Sequence, residues 1–204
     1  MKYSDAIAAM AAGRRRRTDK ETSDEVLLGL IAQGDKDAME VLYRRYSVRV
    51  FRFLLRFVDG EATAEDLVSD VFLEAWRKAG QFAARSSVST WLLAIARYKA
   101  LSALRKRSAD GLADDVIEFI EDPSDDAQTA LEKTERAEIL RDCLKQLSPA
   151  HREIVDLVYY HERSIDDVAA IIGVPQNTVK TRMFYARKRI GELLIARGFE
   201  RAWT

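Results

Sequence analysis

Apolar side chains recur every three or four residues along most of this chain, whereas the alternation typical of strands does not persist. The three prolines stand at positions 123, 149 and 175, so long stretches contain no residue that breaks a helix interior. Ala, Leu, Glu, Arg and Lys, which favour helices, are abundant. The pattern predicts an all-α protein of two small helical domains.

The first domain is predicted at residues 23–107 and contains four helices. Their ends are marked by a cap at Ser23 or Asp24, by Gly34, by a turn at Asp59-Gly60, by a capping box from Thr63 to Asp66, and by a cap at Ser87 or Ser89. The second helix is expected over about 35–58. The first is expected to bury Val26, Leu27, Leu30 and Ile31.

The second domain is predicted at residues 131–204. A helix over about 132–147 carries Cys143 on an apolar stripe with Leu140, Leu144 and Leu147, so we expect the cysteine to be buried. Ser148 and Pro149 open the next helix as a cap and a first helical residue. Ser164 and Asp167 form a capping box that opens a short helix over Ile165–Ile172.

Residues 164–190 predict a helix-turn-helix. Gly173 stands where the turn needs a positive φ, and Pro175 is suited to start the second helix. An apolar stripe for the core follows at Val179, Met183, Ala186 and Ile190. The opposite face carries hydrogen-bonding and basic side chains, as a recognition helix requires. An ordinary helical hairpin with a basic surface is the alternative.

The residues on that face are candidates for contact with duplex DNA: Gln176, Asn177, Thr178, Lys180, Thr181, Arg182, Tyr185, Arg187 and Lys188. Those in the first turns are expected to read base edges, since Asn or Gln can bond adenine in two places. The lysines and the later arginines are expected to hold phosphates.

Charge is segregated along the chain, although 33 basic and 33 acidic side chains give a formal net charge of +0. Residues 1–109 carry 20 basic and 14 acidic groups, residues 110–142 carry 3 and 12, and residues 143–204 carry 10 and 7. The runs 97–107 and 176–190 each hold five basic and no acidic side chains. Each run is a candidate phosphate-binding strip, although a solvated helix face has the same composition.

Two segments are expected to be flexible. Residues 1–22 form an N-terminal tail whose four arginines at 14–17 either touch DNA or keep the tail in solution. Residues 108–130 form an acidic linker between the two domains.

Several classes of protein are not favoured by this sequence. No apolar stretch approaches the roughly 20 residues that span a bilayer, so we expect no membrane insertion. A single cysteine favours a reducing cytoplasm. His151 and His161 lack metal-ligand spacing with each other or with Cys143. Neither a glycine-rich phosphate loop nor a nucleophile–base pair is evident. We therefore expect no metal, no cofactor and no enzymatic activity.

Three passages carry a resemblance to a known family. They are Ala64-Glu65-Asp66-Leu67 within 63–78, Thr90-Trp91-Leu92 and Arg105-Lys106-Arg107 within 89–107, and Val174-Pro175 with Thr178-Val179-Lys180-Thr181-Arg182 within 147–190. In this order they resemble the polymerase-binding helix, the minus-ten helix and the minus-thirty-five domain of extracytoplasmic-function (group four) bacterial sigma factors. The resemblance implies sigma domains two and four, with the acidic linker in place of domain three. Asn177 departs from it, because the family often has glycine there.

The resemblance also implies two further groups of site residues. The first group contacts the minus-ten element. In the loop before the minus-ten helix, Phe82, Ser86 and Ser87 are expected to line a pocket for a flipped base. On the helix itself, the expected contacts are Arg97, Tyr98, Lys99, Arg105, Lys106 and Arg107. A carboxylate row for core RNA polymerase is Asp66, Asp70 and Glu74, spaced four apart along one side of a helix. A solvated acidic face has the same spacing.

The leading hypothesis is a sigma factor that binds core RNA polymerase, recognises the minus-thirty-five and minus-ten promoter elements and promotes DNA melting. The resemblance implies an anti-sigma factor as a further partner. The alternative is a stand-alone helix-turn-helix regulator, which binds its site tightly by itself and has no affinity for core polymerase.

Overall fold

The computed structural model describes residues 22–58, 60–109 and 132–199, and these ranges contain eight α-helices, one 3-10 turn and no strand. The helices are α1 Asp24–Ala32, α2 Lys36–Leu54, α3 Glu61–Lys78, α4 Val88–Ala109, α5 Glu132–Lys145, α6 Pro149–Tyr159, α7 Ile165–Ile172 and α8 Gln176–Ala196. The 3-10 turn, Ala79–Gln81, follows α3 directly. The predicted all-α class is confirmed.

The N-terminal domain packs α1 to α4 around a closed apolar core. Leu42, Phe53, Leu54 and Leu92 are completely buried in it. Helix α4 contacts both α2 and α3, so it forms one wall of this domain. Burial of side chains this large is the main source of the domain's stability.

The buried face of α1 differs from the one predicted. Leu27, Leu28 and Ile31 are buried, whereas Val26 is 54% exposed and Leu30 is 37% exposed. The expectation for Val26 and Leu30 was therefore wrong. The run from 26 to 31 places apolar residues around the whole helix, so the pattern alone does not determine which side faces the core.

Several helix ends also differ from the sequence prediction. Helix α3 begins at Glu61, directly after its N-cap residue Gly60, which has a φ of 89° and forms no side-chain capping hydrogen bond. Thr63 therefore lies inside the helix, and the capping box predicted from Thr63 to Asp66 is wrong. Helix α2 ends at Leu54, before a turn. Helix α4 begins at Val88, directly after Ser87, whose Oγ accepts a hydrogen bond from the Thr90 backbone N–H at 3.1 Å.

Helix α4 continues through Ala109, two residues into the segment predicted as a linker. The remainder of that segment and residues 1–21 of the predicted tail lie outside the described residues.

The C-terminal domain contains α5 to α8 and begins its helices as predicted. The Ser148 side chain caps α6, which has Pro149 in its first turn, and Ser164 and Asp167 form a reciprocal capping box on α7. Cys143 is completely buried, as expected, but Leu140 is 45% exposed, so its predicted place on the buried stripe was wrong.

The ends of α5 and α8 differ from the sequence prediction. Helix α5 stops at Lys145, two residues early, and Arg152 of α6 donates hydrogen bonds to the Leu144 and Leu147 carbonyls there. Helix α8 runs six residues past Ile190, to Ala196.

The two domains contact each other. Helix α4 of the first domain packs against α7 of the second, and the buried apolar residues of both domains belong to one continuous cluster.

Candidate nucleic-acid interface

Helices α7 and α8 form the helix-turn-helix that the sequence predicted. Gly173 ends α7 in the left-handed region, with a φ of 77°, and its backbone N–H donates to the Ala169 carbonyl at 2.9 Å. The backbone N–H of Val174 donates to the same carbonyl at 3.2 Å. Pro175 occupies the N-cap of α8, one position before the first helical residue. A side chain at 173 would be strained, since the conformation favours glycine.

Helix α8 is divided into a buried side and a solvent side. Val179 and Ala186 are completely buried and Met183 is 4% exposed, while Ile190 packs on the core at its edge. On the opposite side the exposed residues are Gln176, Asn177, Lys180, Thr181, Tyr185, Arg187 and Lys188, and the half-buried ones are Thr178 and Arg182. The predicted readers of duplex DNA therefore form one accessible surface, with its first turns open to solvent.

Two residues at this surface were missed by the sequence reasoning. Tyr159, at the end of α6, accepts a hydrogen bond from Arg187 Nε at 3.1 Å, and the guanidinium lies 5.9 Å from its ring centroid. Tyr159 thus orients Arg187. Phe184 is 64% exposed and its ring contacts Tyr185 edge-on at 5.5 Å. Its spacing of three and seven residues from Thr181 and Asn177 was the signal that places it on the same face.

The predicted minus-ten residues on α4 are not equally accessible. Tyr98 is 65% exposed, Arg105 and Lys106 are exposed, and Arg107 is half-buried. Arg97 instead makes a two-pronged contact with Glu153 of α6, with Nε–Oε1 at 2.6 Å and Nη2–Oε2 at 3.3 Å.

The loop before α4 holds its three predicted pocket residues in different settings. The Phe82 ring packs 5.3 Å from the Trp91 ring and against the core. Ser87 caps α4, and its Oγ also lies 2.9 Å from Thr90 Oγ1. Ser86 is half-buried and donates weakly to the Ser87 carbonyl at 3.5 Å. The Phe82 ring is thus held by packing against Trp91 and the core, while Ser86 and Ser87 lie immediately before α4.

The predicted carboxylate row lies along α3. Asp66 and Asp70 are exposed, and Leu73 beside them is 47% exposed. Glu74 differs because Lys78 Nζ lies 2.8 Å away and Lys99 Nζ of α4 lies 3.7 Å away. The hydrogen bond from Lys78 and the nearby positive charges hold the pKa of Glu74 below its usual value. At one end of the row, Asp66 and Asp70 therefore present their carboxylates to solvent, whereas at the other end two lysines offset the charge of Glu74.

A helix-turn-helix with an exposed basic face, together with a second helical domain whose α4 exposes Arg105 and Lys106, is typical of the class of DNA-binding proteins. Family models for Sigma-70 region 2 and Sigma-70 region 4 match residues 42–109 and 137–190. The RNA polymerase sigma-H factor of Pseudomonas aeruginosa is 31% identical over 187 residues, which cover 85% of this chain and 95% of that protein.

Two further relatives agree with these matches. The ECF RNA polymerase sigma factor BldN of Streptomyces coelicolor is 32% identical over 189 residues, covering 89% of this chain and 70% of that protein. A solved structure of the sigma factor RpoE with the anti-sigma factor NepR, from Bartonella quintana, is similar with a TM-score of 0.61 and 28% identity. The similarity covers 76% of this chain and 96% of that one. The chain belongs to the extracytoplasmic-function sigma factors of bacterial RNA polymerase.

Membership of this family makes the chain a transcription initiation factor, and the comparisons give no support to a stand-alone regulator. Within the described ranges, no helix is both long and apolar enough to cross a membrane. The same ranges contain no group of three or more side chains arranged to hold a metal ion.

Proposed function

We propose that α8 reads the minus-thirty-five element and α4 the minus-ten element when this chain is bound to core RNA polymerase. Residues 23–107 then act as sigma domain two and residues 131–204 as sigma domain four. The observation that carries this proposal is the division of α8, whose first turns present hydrogen-bonding side chains to solvent on the side opposite its buried apolar stripe.

Within α8, chemistry suggests different roles for different side chains. Gln176 and Asn177 suit adenine, whose major-groove edge has one acceptor and one donor, and Arg182 suits guanine or a phosphate. Lys180 and Lys188 suit phosphates, and Arg187 reaches a phosphate from the position at which Tyr159 orients it.

Within domain two, the accessible residues follow the backbone of the melted strand. Tyr98 offers an exposed ring for stacking, and Arg105 and Lys106 offer exposed charge. Phe82, Ser86 and Ser87 flank the site for a flipped base. Arg97 and Lys99 join this surface only by exchanging their carboxylate partners for phosphates.

The open end of the carboxylate row supports a role in holding core polymerase. Asp66 and Asp70 present their charge to solvent on one side of α3, next to the exposed Leu73. A charge reversal, Asp66→Arg, should weaken binding to core polymerase, while Glu65→Arg on the neighbouring position should change it little. The affinity of each labelled variant for core polymerase is measured by fluorescence anisotropy. Equal affinities of the two variants would show that Asp66 is not part of the polymerase-binding surface.

The solved relative supports an anti-sigma factor as a further partner, because that sigma factor is held in complex with one. We assign the chain to the cytoplasm, where core polymerase works, and assign it no catalytic step of its own.

Run-off transcription from a promoter library randomised at both elements tests the proposal. We expect enrichment of a two-element motif only when core polymerase and this chain are both present. No polymerase-dependent enrichment would contradict a role in initiation. Tight sequence-specific binding without polymerase affinity would favour the stand-alone regulator instead.

A further inference from the structure

Helix α2 and the turn after it carry a third basic run. Residues 41–58 hold five arginines and no acidic side chain, as many basic groups as each of the runs on α4 and α8. Neither proposed DNA-reading surface includes any of these arginines. Four of them are spaced four, three and four residues apart, so they form a row along one side of the chain: Arg45, Arg49, Arg52 and Arg56.

The first and last members of this arginine row have carboxylate partners. Arg45 Nη1 lies 2.6 Å from Asp24 Oδ1, and Arg56 Nη1 lies 3.2 Å from Asp156 Oδ1 of the second domain. The two middle members, Arg49 and Arg52, are exposed. Neither has a carboxylate within ion-pair distance in residues 22–58, 60–109 and 132–199. The positive charge of the row is therefore least offset at its middle.

Arg49 meets an arginine of the second domain over one hydroxyl group. Arg49 Nη1 donates to Ser89 Oγ at 3.4 Å, and Arg163 Nη1 donates to the same oxygen at 3.2 Å. Arg163 Nε also donates to the His161 backbone carbonyl at 2.6 Å, which fixes the direction of its guanidinium. Ser89 is only 6% exposed and lies in the first turn of α4. Two cations thus share one neutral acceptor where the domains meet.

The charges of these two arginines are only partly offset by their surroundings. Burial and then the charge of Arg49 hold the pKa of Arg163 below its usual value, and the charge of Asp167 acts in the other direction without restoring it. The Asp167 carboxylate is itself engaged, because it accepts hydrogen bonds from Thr90 Oγ1 and Ser164 Oγ, both at 2.7 Å. Both arginines stay protonated at pH 7. Two guanidinium groups held together in this way attract an anion.

The geometry of the pair favours a phosphate group over a carboxylate. Each planar guanidinium presents N–H donors that match two oxygens of one phosphate. A tetrahedral anion has oxygens enough for both guanidinium groups, whereas a carboxylate has only two. The Ser89 hydroxyl adds a donor. The first turn of α4 contains no acidic residue, and the helix dipole adds positive charge there.

We propose that Arg49 and Arg163, with the Ser89 hydroxyl between them, form a phosphate-binding site shared by the two domains. The phosphate belongs either to a small molecule or to a nucleic-acid backbone, since both present the same oxygens. The site goes beyond the proposed reading of promoter elements, because it contains none of the residues assigned to that reading.

Isothermal titration calorimetry of the full chain with inorganic phosphate tests the site. A chloride buffer at constant ionic strength separates binding from the screening of charge. We expect saturable binding to the wild-type chain. Arg49→Ala and Arg163→Ala should each lower the affinity about tenfold or more, because each removes a hydrogen bond between charged groups. Arg52→Ala removes the same charge from an exposed position one turn away and should leave the affinity nearly unchanged.

Two further variants apply if Arg163→Ala does not fold, which circular dichroism shows. Arg163→Lys keeps the charge but loses the planar pair of donors, so it should bind phosphate more weakly than the wild-type chain. Ser89→Asp places a carboxylate between the two guanidinium groups and should prevent phosphate binding, because that carboxylate occupies the place of the anion.

A second titration, with a single-stranded DNA oligonucleotide of arbitrary sequence, decides the source of the phosphate. Oligonucleotide binding that is weakened by Arg163→Lys and displaced by inorganic phosphate would assign the phosphate to nucleic acid. Oligonucleotide binding that is unaffected by this change, with inorganic phosphate binding weakened by it, would assign the phosphate to a small molecule.

Other outcomes overturn the proposal without bearing on the reading of promoter elements. Absence of saturable phosphate binding, or equal affinity in the wild-type chain, Arg49→Ala and the Arg163 variants, would overturn the site. A loss of affinity in Arg49→Ala alone would overturn the part assigned to Arg163, and with it the sharing of the site between the domains.

Discussion

Helices α4 and α8 carry nearly the same local chemistry but differ in what surrounds them. The runs 97–107 and 176–190 each contain five basic and no acidic side chains. In α8 the predicted contacts point to solvent, whereas in α4 Arg97 is bound by Glu153 and Lys99 lies near Glu74. Equal charge along a helix therefore does not mean equal availability to DNA.

The difference follows from how much of each helix is covered, because α8 also packs against three helices, α5, α6 and α7. Helix α8 buries a single stripe, at Val179, Met183 and Ala186, so most of its circumference stays open. Helix α4 packs against α2, α3 and α7 together. Helix α4 also buries polar residues in its first turn, Ser89 and Thr90, and buried polar groups need partners.

The largest effect is expected from removing the support of α8. Met183→Ala deletes a side chain that is 4% exposed and should lower the free energy of unfolding by about 2–5 kcal/mol. Phe184→Ala, which removes the next and 64% exposed side chain, should change it by less than about 0.5 kcal/mol. Urea unfolding followed by circular dichroism measures both. Similar losses would mean that α8 does not have the two sides described.

A base-reading residue of α8 sharpens the comparison further. Asn177→Ala should cost about 1–3 kcal/mol on the enriched minus-thirty-five sequence and relax preference at one base pair. The control, Gln33→Ala, removes an exposed amide at the end of α1. Competition between matched and mismatched duplexes in the polymerase complex gives the cost. An unchanged preference would assign the base contact to another residue.

A phosphate-binding residue should behave differently from a base reader. Lys180→Ala should weaken all sequences alike and reduce the slope of log affinity against log salt by about 1. Lys36→Ala removes the same charge from an exposed position on α2 and should leave the slope as it is. Affinity titrations at four salt concentrations decide this. A sequence-dependent loss for Lys180→Ala would instead make it a reader of bases.

The smallest effect concerns Asp167, which links α7 to α4. Burial alone would raise the pKa of Asp167, but hydrogen bonds from Ser164 and Thr90 outweigh it and hold the pKa below the usual value. The ionised form is thus favoured in the folded chain, so its stabilisation is present above the unfolded pKa of about 4 and is lost as pH falls through the folded pKa.

Asp167→Asn should therefore be less stable than the wild-type chain at pH 7, by about 0.3–1 kcal/mol, because Asp167 lies in the first turn of α7, where a negative charge is favoured. The gap should shrink below pH 4 in unfolding measurements across that range. Asp166→Asn, the same change at the exposed neighbouring position, is the control. A gap that is constant with pH would show that ionisation of Asp167 is not what stabilises α7.

The features that sequence predicted well are those set by neighbours along the chain. The Ser164–Asp167 capping box, the positive φ of Gly173 and the buried stripe of α8 all depend on residues within a few positions. Thr63 shows the limit of such reasoning. It had suitable neighbours for a cap, yet Gly60 already begins the helix three residues earlier.

The features that sequence did not predict depend on distant partners. Arg97 and Glu153 are 56 positions apart, and nothing near either residue indicates the other. Asp156 lies among apolar residues of α6, where its local pattern gives no sign of a pairing with Arg56. The faces of α4 and α6 that meet are decided by tertiary packing, so the candidate minus-ten site could be named but not its accessibility.

The central claim is that α8 reads the minus-thirty-five element and α4 reads the minus-ten element. Its most direct test is run-off transcription by core polymerase from a promoter library that is randomised at both elements. Wild-type chain is compared with Asn177→Ala in α8 and Tyr98→Ala in α4. We predict that Asn177→Ala changes enrichment only at the minus-thirty-five element and Tyr98→Ala only at the minus-ten element. Loss of preference at both elements from either change, or at neither from both, would contradict the division of labour between α8 and α4.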